Sequence, residues 1–299
     1  MSLFEIKTGI APENAGLVGE LLVELGVPNW SVTEDVVARK AWLSGVFEDA
    51  FEAQEEWMDL LPLLDELRVG TTERRIPARR LEEEEWRDSY KRHFHASRFG
   101  RLHWIPEWER GTAALPEGDV AVWLDPGLAF GTGNHETTRL CCERLVAAAE
   151  RLGDKKAEAH VVDAGCGSGI LALSAARLGF AQIAAFDNDP EAVRVSKENA
   201  ELNGLSGAVG FFGDDLAGGV RDRRGAVDLL LANIQADVLL RFSDELLRAM
   251  APGGELVLSG ILAEEVERVG KVFRDKAPGW NAESRTLGDW ADLVLRRPA

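Results

Sequence analysis

The fold of this chain is decided by one stretch, Val161-Val162-Asp163-Ala164-Gly165-Cys166-Gly167-Ser168-Gly169. It begins in a short apolar strand, passes an acid and three alternate glycines, and continues into an apolar, alanine-rich run typical of a helix. Glycine lets the backbone approach a ligand because no Cβ intervenes, and the following helix presents unpaired N–H groups at its first turn. The stretch therefore predicts a strand–turn–helix unit that binds a flat, polar, nucleoside-like ligand.

A dinucleotide is one ligand that fits this turn. Gly167, Gly169 and Ala172 satisfy the spacing G-x-G-x-x-G/A. Asp187 follows about 20 residues on, where a ribose-binding acid is expected. On its own this spacing is a weak signal.

The turn differs from a dinucleotide site in two ways. Asp163 stands just ahead of the glycines, and an extra glycine, Gly165, precedes Gly167 and Gly169. The pattern D-x-G-x-G-x-G resembles the first motif of class I S-adenosylmethionine (SAM) methyltransferases. The resemblance implies that Gly165 and Gly167 let the backbone approach the methionine and ribose of SAM. It also implies that Asp163 helps to hold the amino group of that ligand.

Length and composition indicate an ordinary soluble protein of 299 residues, with 45% apolar and 28% charged residues. No run approaches the about 18 apolar residues of a membrane span, and no secretory signal is visible. Three cysteines, Cys141, Cys142 and Cys166, form neither a disulfide framework nor a zinc pattern. We expect a cytoplasmic protein with no metal site and no membrane partner.

The net charge of −17 is concentrated at the start of the chain, where residues 1–70 hold 14 acids against 4 bases. Such a surface repels nucleic acid and attracts basic partners. Solubility alone is the simpler explanation of net charge in general. The concentration in residues 1–70 favours a basic protein partner, and we expect no direct binding of nucleic acid.

Residues 1–70 predict a small domain with the element order β-α-β-β-α-β, which is that of a ferredoxin-like α+β domain. Its last strand is predicted near Leu67–Gly70. Its second helix, about Glu48 to Glu66, is predicted to break or kink near Leu61 because Pro62 follows. No His, Cys or glycine-rich loop lies in residues 1–70. We therefore expect the domain to recognise the substrate.

Residues 71–110 predict a connector built on an amphipathic helix, whose apolar stripe docks on a domain. The stripe residues are Leu81, Trp86, Tyr90 and Phe94. His93, His95 and His103 lack carboxylate partners at metal-ligand spacing, so we assign them no metal.

Residues 111–299 alternate strands and helices, which predicts a parallel sheet wrapped by helices, with a late hairpin adding an antiparallel edge. Polar side chains follow the predicted strand ends, where open α/β sheets bind ligands. They are Asp163, Asp187, Asp214 and Asn233. Asp187 is placed to accept two hydrogen bonds from a ribose diol, and Asp214 lies where an adenine amino group would be read.

A second glycine-rich loop, Asp125–Thr138, leads into a helix predicted from Asn134 to Leu152. Three glycines, three threonines and one histidine in 14 residues favour a ligand-covering loop over an ordinary helix start. Asn134 is a fair N-cap. Thr138 falls in the first turn, where its hydroxyl is placed to face a ligand.

Four motifs together resemble the PrmA family, which methylates the eleventh protein of the large ribosomal subunit. They are D-P-G-x-A-F-G-T-G-x-H-x-T-T at 125–138, D-x-G-C-G-S-G-I-L at 163–171, D-x-D-P at 187–190 and A-N-I at 232–234. The connector is similar in Trp86, Arg98-Phe99-Gly100, Ile105-Pro106 and Trp108. The resemblance is specific over residues 86–262 and only architectural over residues 1–70.

The resemblance implies a class I methyltransferase domain with a Rossmann-like seven-stranded sheet at 111–299, preceded by the small domain that holds the ribosomal protein. It places SAM at Thr138, Gly165, Asp187 and Asn233. Asn233 would also orient the accepting nitrogen. His135 is a possible proton acceptor or a residue that packs the loop.

The implied reaction is in-line methyl transfer from SAM to a lysine ε-amino or an N-terminal α-amino group, catalysed by alignment without a metal or an obligatory base. We expect a monomer that acts on a basic ribosomal protein. The alternatives are a methyltransferase of another basic protein or of a nucleic-acid adenine, and a non-catalytic SAM-binding ribosome assembly factor. The intact loop at 125–138 and Asn233 speak against the assembly factor.

Overall fold

A computed structural model describes residues 3–25, 27, 29–35, 40–47, 49–71, 76–81, 96–124 and 135–299. The chain divides into two compact units, Met1–His93 and Phe94–Ala299. The part of the predicted connecting helix that carries Trp86, Tyr90 and Phe94 lies outside the described residues, as do His93, His95 and loop residues Asp125–Asn134.

The first unit follows the predicted element order. Its elements are β1 Leu3–Ile10, α1 Ala15–Leu25, β2 Trp30–Asp35, β3 Lys40–Phe47, α2 Ala50–Glu66 and β4 Arg79–Leu81. The strands form one antiparallel sheet in the order β2-β3-β1-β4. Alternate residues of β3, including Leu43 and Phe47, are buried in a core shared with α2. The sheet thus buries one face against its helices.

The fourth strand lies at Arg79–Leu81, so its predicted place near Leu67–Gly70 is wrong. Residues 67–69 instead end α2 in a tight turn, with Arg68 in the left-handed region at φ 57°. The Val69 N–H donates to the Leu64 carbonyl at 2.9 Å, and the Val69 side chain is buried. An apolar residue that closes a helix end resembles the start of a strand in sequence.

Of the predicted break or kink in the second helix, the break is wrong, since α2 runs unbroken through Pro62. Proline removes one N–H and crowds the carbonyl four residues earlier, which belongs to Met58. Both Pro62 and Met58 are exposed. Water can therefore satisfy that carbonyl, and the buried residues Trp57, Leu60 and Leu64 hold the helix on the sheet.

The second unit contains two sheets and seven helices among its described residues. A three-stranded sheet is built from β5 Ser97–Phe99, β6 Leu102–Pro106 and β7 Val120–Leu124. The other strands are β8 His160–Ala164, β9 Gln182–Asp187, β10 Gly210–Gly213, β11 Val227–Asn233, β12 Met250–Leu262, β13 Asn281–Leu287 and β14 Trp290–Arg296. The helices are α3 Glu136–Leu152, α4 Ile170–Leu178, α5 Pro190–Leu202, α6 Leu216–Arg221, α7 Ala236–Arg241, α8 Ser243–Ala249 and α9 Val266–Lys276.

The large sheet has seven strands in the order β10-β9-β8-β11-β12-β14-β13. Strands β8 to β12 are parallel, and β14 runs antiparallel between β12 and β13. The predicted parallel sheet with an antiparallel late hairpin is confirmed. Neighbouring residues of β8, Val161 and Val162, enter separate apolar cores, as expected for a parallel sheet covered on both faces.

Residues 97–106, predicted as part of the connector, form strands of the second unit. The Trp104 indole N–H donates to Ser174 Oγ in α4 at 2.8 Å, and Arg101 donates to the Leu178 carbonyl at 3.0 Å. His103 lies 2.7 Å from an Asp119 carboxylate oxygen. Among all described residues, no helix has the length and apolar character that crossing a bilayer requires.

Candidate functional site

The carboxyl ends of the parallel strands bring the predicted polar residues into one row. Asp187 is paired with Gly213 of β10, and Asn233 is paired with Ser259 of β12. Strand β8 lies between β9 and β11, so the glycine turn that follows it enters the middle of the row. The strand order reverses direction at β8, and such a switch point is where doubly wound sheets bind ligands.

The glycine turn is tied to the end of β9 by its own backbone. The N–H groups of Gly165 and Cys166 donate to the Phe186 carbonyl at 2.9 and 3.0 Å, and Gly167 N–H donates to the Asp187 carboxylate at 2.9 Å. Gly165 and Gly167 have φ values of 73° and 51°, where residues with a Cβ are disfavoured. The turn therefore needs glycine for its own conformation.

Two of the glycines also admit close protein neighbours. A Cβ on Gly165 would lie 2.7 Å from Ile234 Cγ2, and one on Gly169 would lie 2.9 Å from Ser196 Cβ. The expected reason for these glycines was close approach of a ligand to the backbone. At Gly165 and Gly169 the structure shows packing of the protein against itself.

Asp163 anchors the strand to the helix that follows the turn. Its carboxylate is 1% exposed and accepts the Ala172 N–H at 3.0 Å. The pKa of Asp163 is raised from its ordinary 3.8 to about 7, chiefly by burial and also by the charge of Asp187, while the Ala172 hydrogen bond opposes the shift. The observed partner of Asp163 is thus within the fold, and its contact with the amino group of a ligand stays a prediction.

Asp187 is held in place by two backbone donors. One carboxylate oxygen accepts the Gly167 N–H, and the other accepts the Asp189 N–H at 3.0 Å. The side chain is half-buried at the end of β9. Each carboxylate oxygen has a further lone pair, so Asp187 is oriented and still able to accept from a diol.

Asp214 lies at the outer end of the row, just after β10. Its N–H donates to the Asp187 carbonyl at 3.0 Å, and its carboxylate accepts the Asp215 N–H at 2.9 Å. The carboxylate rests over Gly218, where a Cβ would collide with it. Asp214 is exposed, so its carboxylate is accessible to a ligand at the strand ends.

Thr138 and Asn233 meet at the other end of the row. Asn233 Nδ2 donates to Thr138 Oγ1 at 3.2 Å, with Thr138 buried in the first turn of α3 and Asn233 half-buried. Ser259, which the sequence analysis did not single out, donates its hydroxyl to the Thr137 carbonyl at 3.0 Å. Ser259 thereby fixes the helix start that carries Thr138. Its only sequence signal was its position at a predicted strand end.

Ile234, the residue after Asn233, is enclosed by two glycines. Its side chain lies over Gly165, as described above. A Cβ on Gly260 would lie 2.5 Å from the Ile234 carbonyl oxygen and 2.8 Å from its carbon. Gly260 has φ 79°, so neither its conformation nor its surroundings admit a side chain without movement. The residue after Asn233 is therefore held on one side by its side chain against Gly165 and on the other by its backbone against Gly260.

His135 is the N-cap of α3, which begins at Glu136, so the predicted helix start at Asn134 is wrong by two residues. His135 Nδ1 lies 2.8 Å from Thr137 Oγ1 and 3.4 Å from the Thr137 amide nitrogen, which suits Nδ1 as the acceptor. The ring also packs edge-on against Trp290, with centroids 4.9 Å apart. The geometry supports the packing role over the proton-acceptor role.

The side chains in this row suit a nucleoside with an amino acid attached. Asp187 matches a ribose diol, Asp214 a donor amino group, and Thr138 and Asn233 supply hydroxyl and amide groups. Among the described residues, no group of His, Cys, Asp or Glu could hold a metal ion. A seven-stranded sheet of this order, with a glycine turn after β8, defines the class I methyltransferase fold, whose methyl donor is SAM.

The particular family follows from comparison with known proteins. The family model described as ribosomal protein L11 methyltransferase (PrmA) matches residues 19–298, and the chain belongs to this family. A ribosomal protein L11 methyltransferase of Pelobacter propionicus is 40% identical over 253 residues, covering 84% of this chain and 79% of that protein. One of Halorhodospira halophila is 39% identical over 283 residues, covering 94% and 88%.

A solved structure gives the same result. The crystal structure of a ribosomal protein L11 methylase from Lactobacillus delbrueckii subsp. bulgaricus aligns with a TM-score of 0.59 at 30% identity. The alignment covers 69% of this chain and all of that one. The protein is thus a SAM-dependent protein methyltransferase, and SAM is favoured over the dinucleotide that the glycine spacing alone allowed.

Two glycines of β12 allow the role of Ile234 to be tested. Gly253 and Gly260 have φ values of 78° and 79°, but a Cβ on Gly253 would meet nothing within 4 Å. Both alanine variants carry a backbone strain of about 1 kcal/mol. Only Gly260→Ala pushes on the Ile234 backbone, so we expect its kcat/KM to fall by about 100-fold while Gly253→Ala stays near wild type. Equal activity of the two variants would contradict this prediction.

The raised pKa of Asp163 predicts how stability depends on pH. Because the folded pKa of about 7 exceeds the ordinary 3.8, the folded chain holds an extra proton between these values. The free energy of unfolding should therefore fall as pH rises through that window, by at most about 1.4 kcal/mol per pH unit.

The matched variant is Asp163→Asn, which retains an oxygen for the Ala172 N–H and does not ionise. Urea unfolding at pH 5 and pH 8 should show that the advantage of the variant over wild type grows with pH. If the two proteins lose stability in parallel, Asp163 is not the group that titrates.

The capping role of His135 predicts tolerance of one particular substitution. Asparagine is also a good N-cap but cannot act as a general base near neutral pH. We expect His135→Asn to keep methyl transfer within about threefold of wild type, because the start of α3 is preserved. A fall of about 100-fold, within the range of a lost general base, would restore the proton-acceptor role.

Proposed function

We propose that this chain transfers methyl groups from SAM to lysine ε-amino groups, N-terminal α-amino groups or both, on ribosomal protein L11. The names of the relatives support the substrate. The observation that carries the amine chemistry is the Asn233–Thr138 pair beside the glycine turn. The donor brings a methyl group already activated on a sulfonium sulfur, so the task of the protein is alignment.

The residues that would hold SAM are those in the row at the strand ends. Asp187 accepts from the ribose hydroxyls, Asp214 from the adenine amino group, and Gly167 brings the backbone close to the methionine part. Thr138 and Gly165 line the side nearer to Asn233. Asp163 supports the turn from beneath and contributes charge when it is ionised.

Asn233 is proposed to orient the acceptor. Because its Nδ2 donates to Thr138 Oγ1, its carbonyl oxygen Oδ1 is turned to accept an N–H from the incoming amine. The amine must be neutral to attack. A partly desolvated site next to a sulfonium cation disfavours a second positive charge and lowers the amine pKa. No side-chain base is required in this scheme, and His135 is assigned to helix capping.

The first unit is proposed to recognise the protein substrate. We assign residues 1–70 together with β4 to a ferredoxin-like recognition domain, and residues 111–299 together with β5 and β6 to the methyltransferase domain. The connector between them is then shorter than the predicted 71–110. The antiparallel order β2-β3-β1-β4 supports the ferredoxin-like assignment. The excess of acids in residues 1–70 supports a basic partner.

The remaining features of the proposal concern the state of the protein in the cell. We propose a cytoplasmic monomer that does not bind nucleic acid directly. The net charge of −17 supports the last point, the lack of nucleic-acid binding, because phosphate backbones carry the same sign.

The test is methyl transfer with labelled SAM, L11 protein and ribosomal RNA offered together. We expect label in L11 only, on amino nitrogens identified by mass spectrometry. Asn233→Ala should lower kcat at saturating SAM by 100-fold or more, because orientation of the acceptor is lost.

Three results would redirect the proposal. Label in RNA and in no protein would favour an adenine methyltransferase. Label in other basic proteins but not in L11 would favour another substrate. Tight binding of both SAM and L11 without transfer would favour the non-catalytic assembly factor.

A further inference from the structure

Helix α2 is apolar on two sides. One side is buried in the core of the first unit, through Ala53, Trp57, Leu60 and Leu64. On the opposite side, Phe51 is 70% exposed and Met58 is 62% exposed. They are seven residues apart, and Pro62 continues the same line at the next turn. We call Phe51, Met58 and Pro62 the outer stripe of α2.

Exposed apolar side chains are concentrated in the first unit. Of the seven large apolar side chains that are exposed in the described part of the chain, five lie there: Leu17, Leu25, Phe51, Met58 and Leu67. Single exposed apolar residues are ordinary, but several that share one face of a helix favour an interaction surface. Phe51 and Met58 are also the two most exposed of the seven.

The outer stripe is bordered by negative charge. Helix α2 contains six acids and neither lysine nor arginine. Glu55 and Asp59 project from positions adjacent to the stripe on one side, with Glu52 beyond them, and all three are exposed. No ion pair within the described residues engages these three carboxylates. An apolar line beside unpaired acids is complementary to a basic surface with an apolar centre.

We propose that the outer face of α2, comprising the outer stripe with Glu52, Glu55 and Asp59, is the docking surface for the basic protein substrate. This inference rests on the proposed function and specifies which surface of the first unit binds the substrate. Ribosomal proteins present lysine and arginine to RNA phosphates, and such side chains match carboxylates equally well. The methylene stems of those side chains can cover Phe51 and Met58. RNA itself and anionic membranes are disfavoured because the acids repel phosphate.

The apolar part is tested with Phe51→Ala/Met58→Ala in the full chain. We expect KM for L11 protein to rise at least tenfold, because apolar contacts with the substrate are lost. The kcat at saturation and the SAM affinity should stay unchanged, because both side chains are far more exposed than the core. Leu17→Ala is the matched control, since Leu17 is 41% exposed on α1 of the same unit. It should leave KM unchanged. Circular dichroism checks that all variants are folded.

The charged part is tested with Glu55→Lys/Asp59→Lys. We expect this variant, too, to have a higher KM for L11 protein than wild type. Its KM should also depend less on salt, because charges at the rim of an interface act through screened attraction. The control with the same change in net charge is Glu117→Lys/Glu158→Lys, at exposed acids of the second unit. If both pairs raise KM equally, overall charge explains the effect and the docking surface is refuted.

Direct binding separates failure of this inference from failure of the proposed function. Fluorescence anisotropy of labelled L11 gives its dissociation constant without any methyl transfer. Unchanged binding and KM in both α2 variants, with normal transfer by wild type, would refute the docking surface and leave the activity standing. No transfer by wild type would refute the function, while weaker binding by the α2 variants would still support the surface. A wild-type dimer that the apolar variant dissociates, seen by light scattering, would assign the face to a second copy instead.

Discussion

The candidate site depends on one close packing contact, the enclosure of Ile234 between Gly165 and Gly260. It joins the ends of three neighbouring strands, β8, β11 and β12, by contacts that leave no room for a Cβ at either glycine. On the Gly260 side the contact is made by backbone atoms of Ile234 and cannot relax by rotation of a side chain, while on the Gly165 side it is made by the Ile234 Cγ2 methyl. Asn233 immediately precedes Ile234, so the contacts that hold Ile234 also restrain the backbone of Asn233. An orienting side chain held in this way loses little entropy when an acceptor arrives, which is what catalysis by alignment requires.

The acids that we propose for the chemistry also hold the fold. Asp187 accepts from two backbone N–H groups, and the proposed contact with a ribose would use the remaining lone pairs of the same carboxylate. Asp163 is buried beneath the turn, where burial and Asp187 raise its pKa. A nearby sulfonium cation would favour the ionised form of Asp163. Binding of the donor and release of this proton are therefore expected to be coupled.

Much of this arrangement could be predicted from the sequence, because it depends on short local sequence motifs. The strand, glycine turn and helix at 161–178, the acids at the ends of β9 and β10 and the asparagine at the end of β11 all follow from short motifs, and the structure brings them into one row. Tertiary contacts decide the rest. Pro62 predicts a break or a kink, but the helix continues through it because the proline is exposed; Val69 resembles part of a strand, but it closes a helix. Ser259 and Gly260 acquire their roles only from residues distant in sequence.

The row at the strand ends also limits what the second unit can do alone. An amide oxygen and a hydroxyl beside a sulfonium would orient any neutral amine, and they carry no means of telling one lysine from another. Discrimination between proteins therefore has to come from contacts beyond the reacting atoms. Residues 1–70 hold 14 acids against 4 bases, and the first unit carries the two most exposed large apolar side chains of the described chain, Phe51 and Met58. In the proposed division of roles, the first unit selects the protein and the row at the strand ends aligns the amine for transfer.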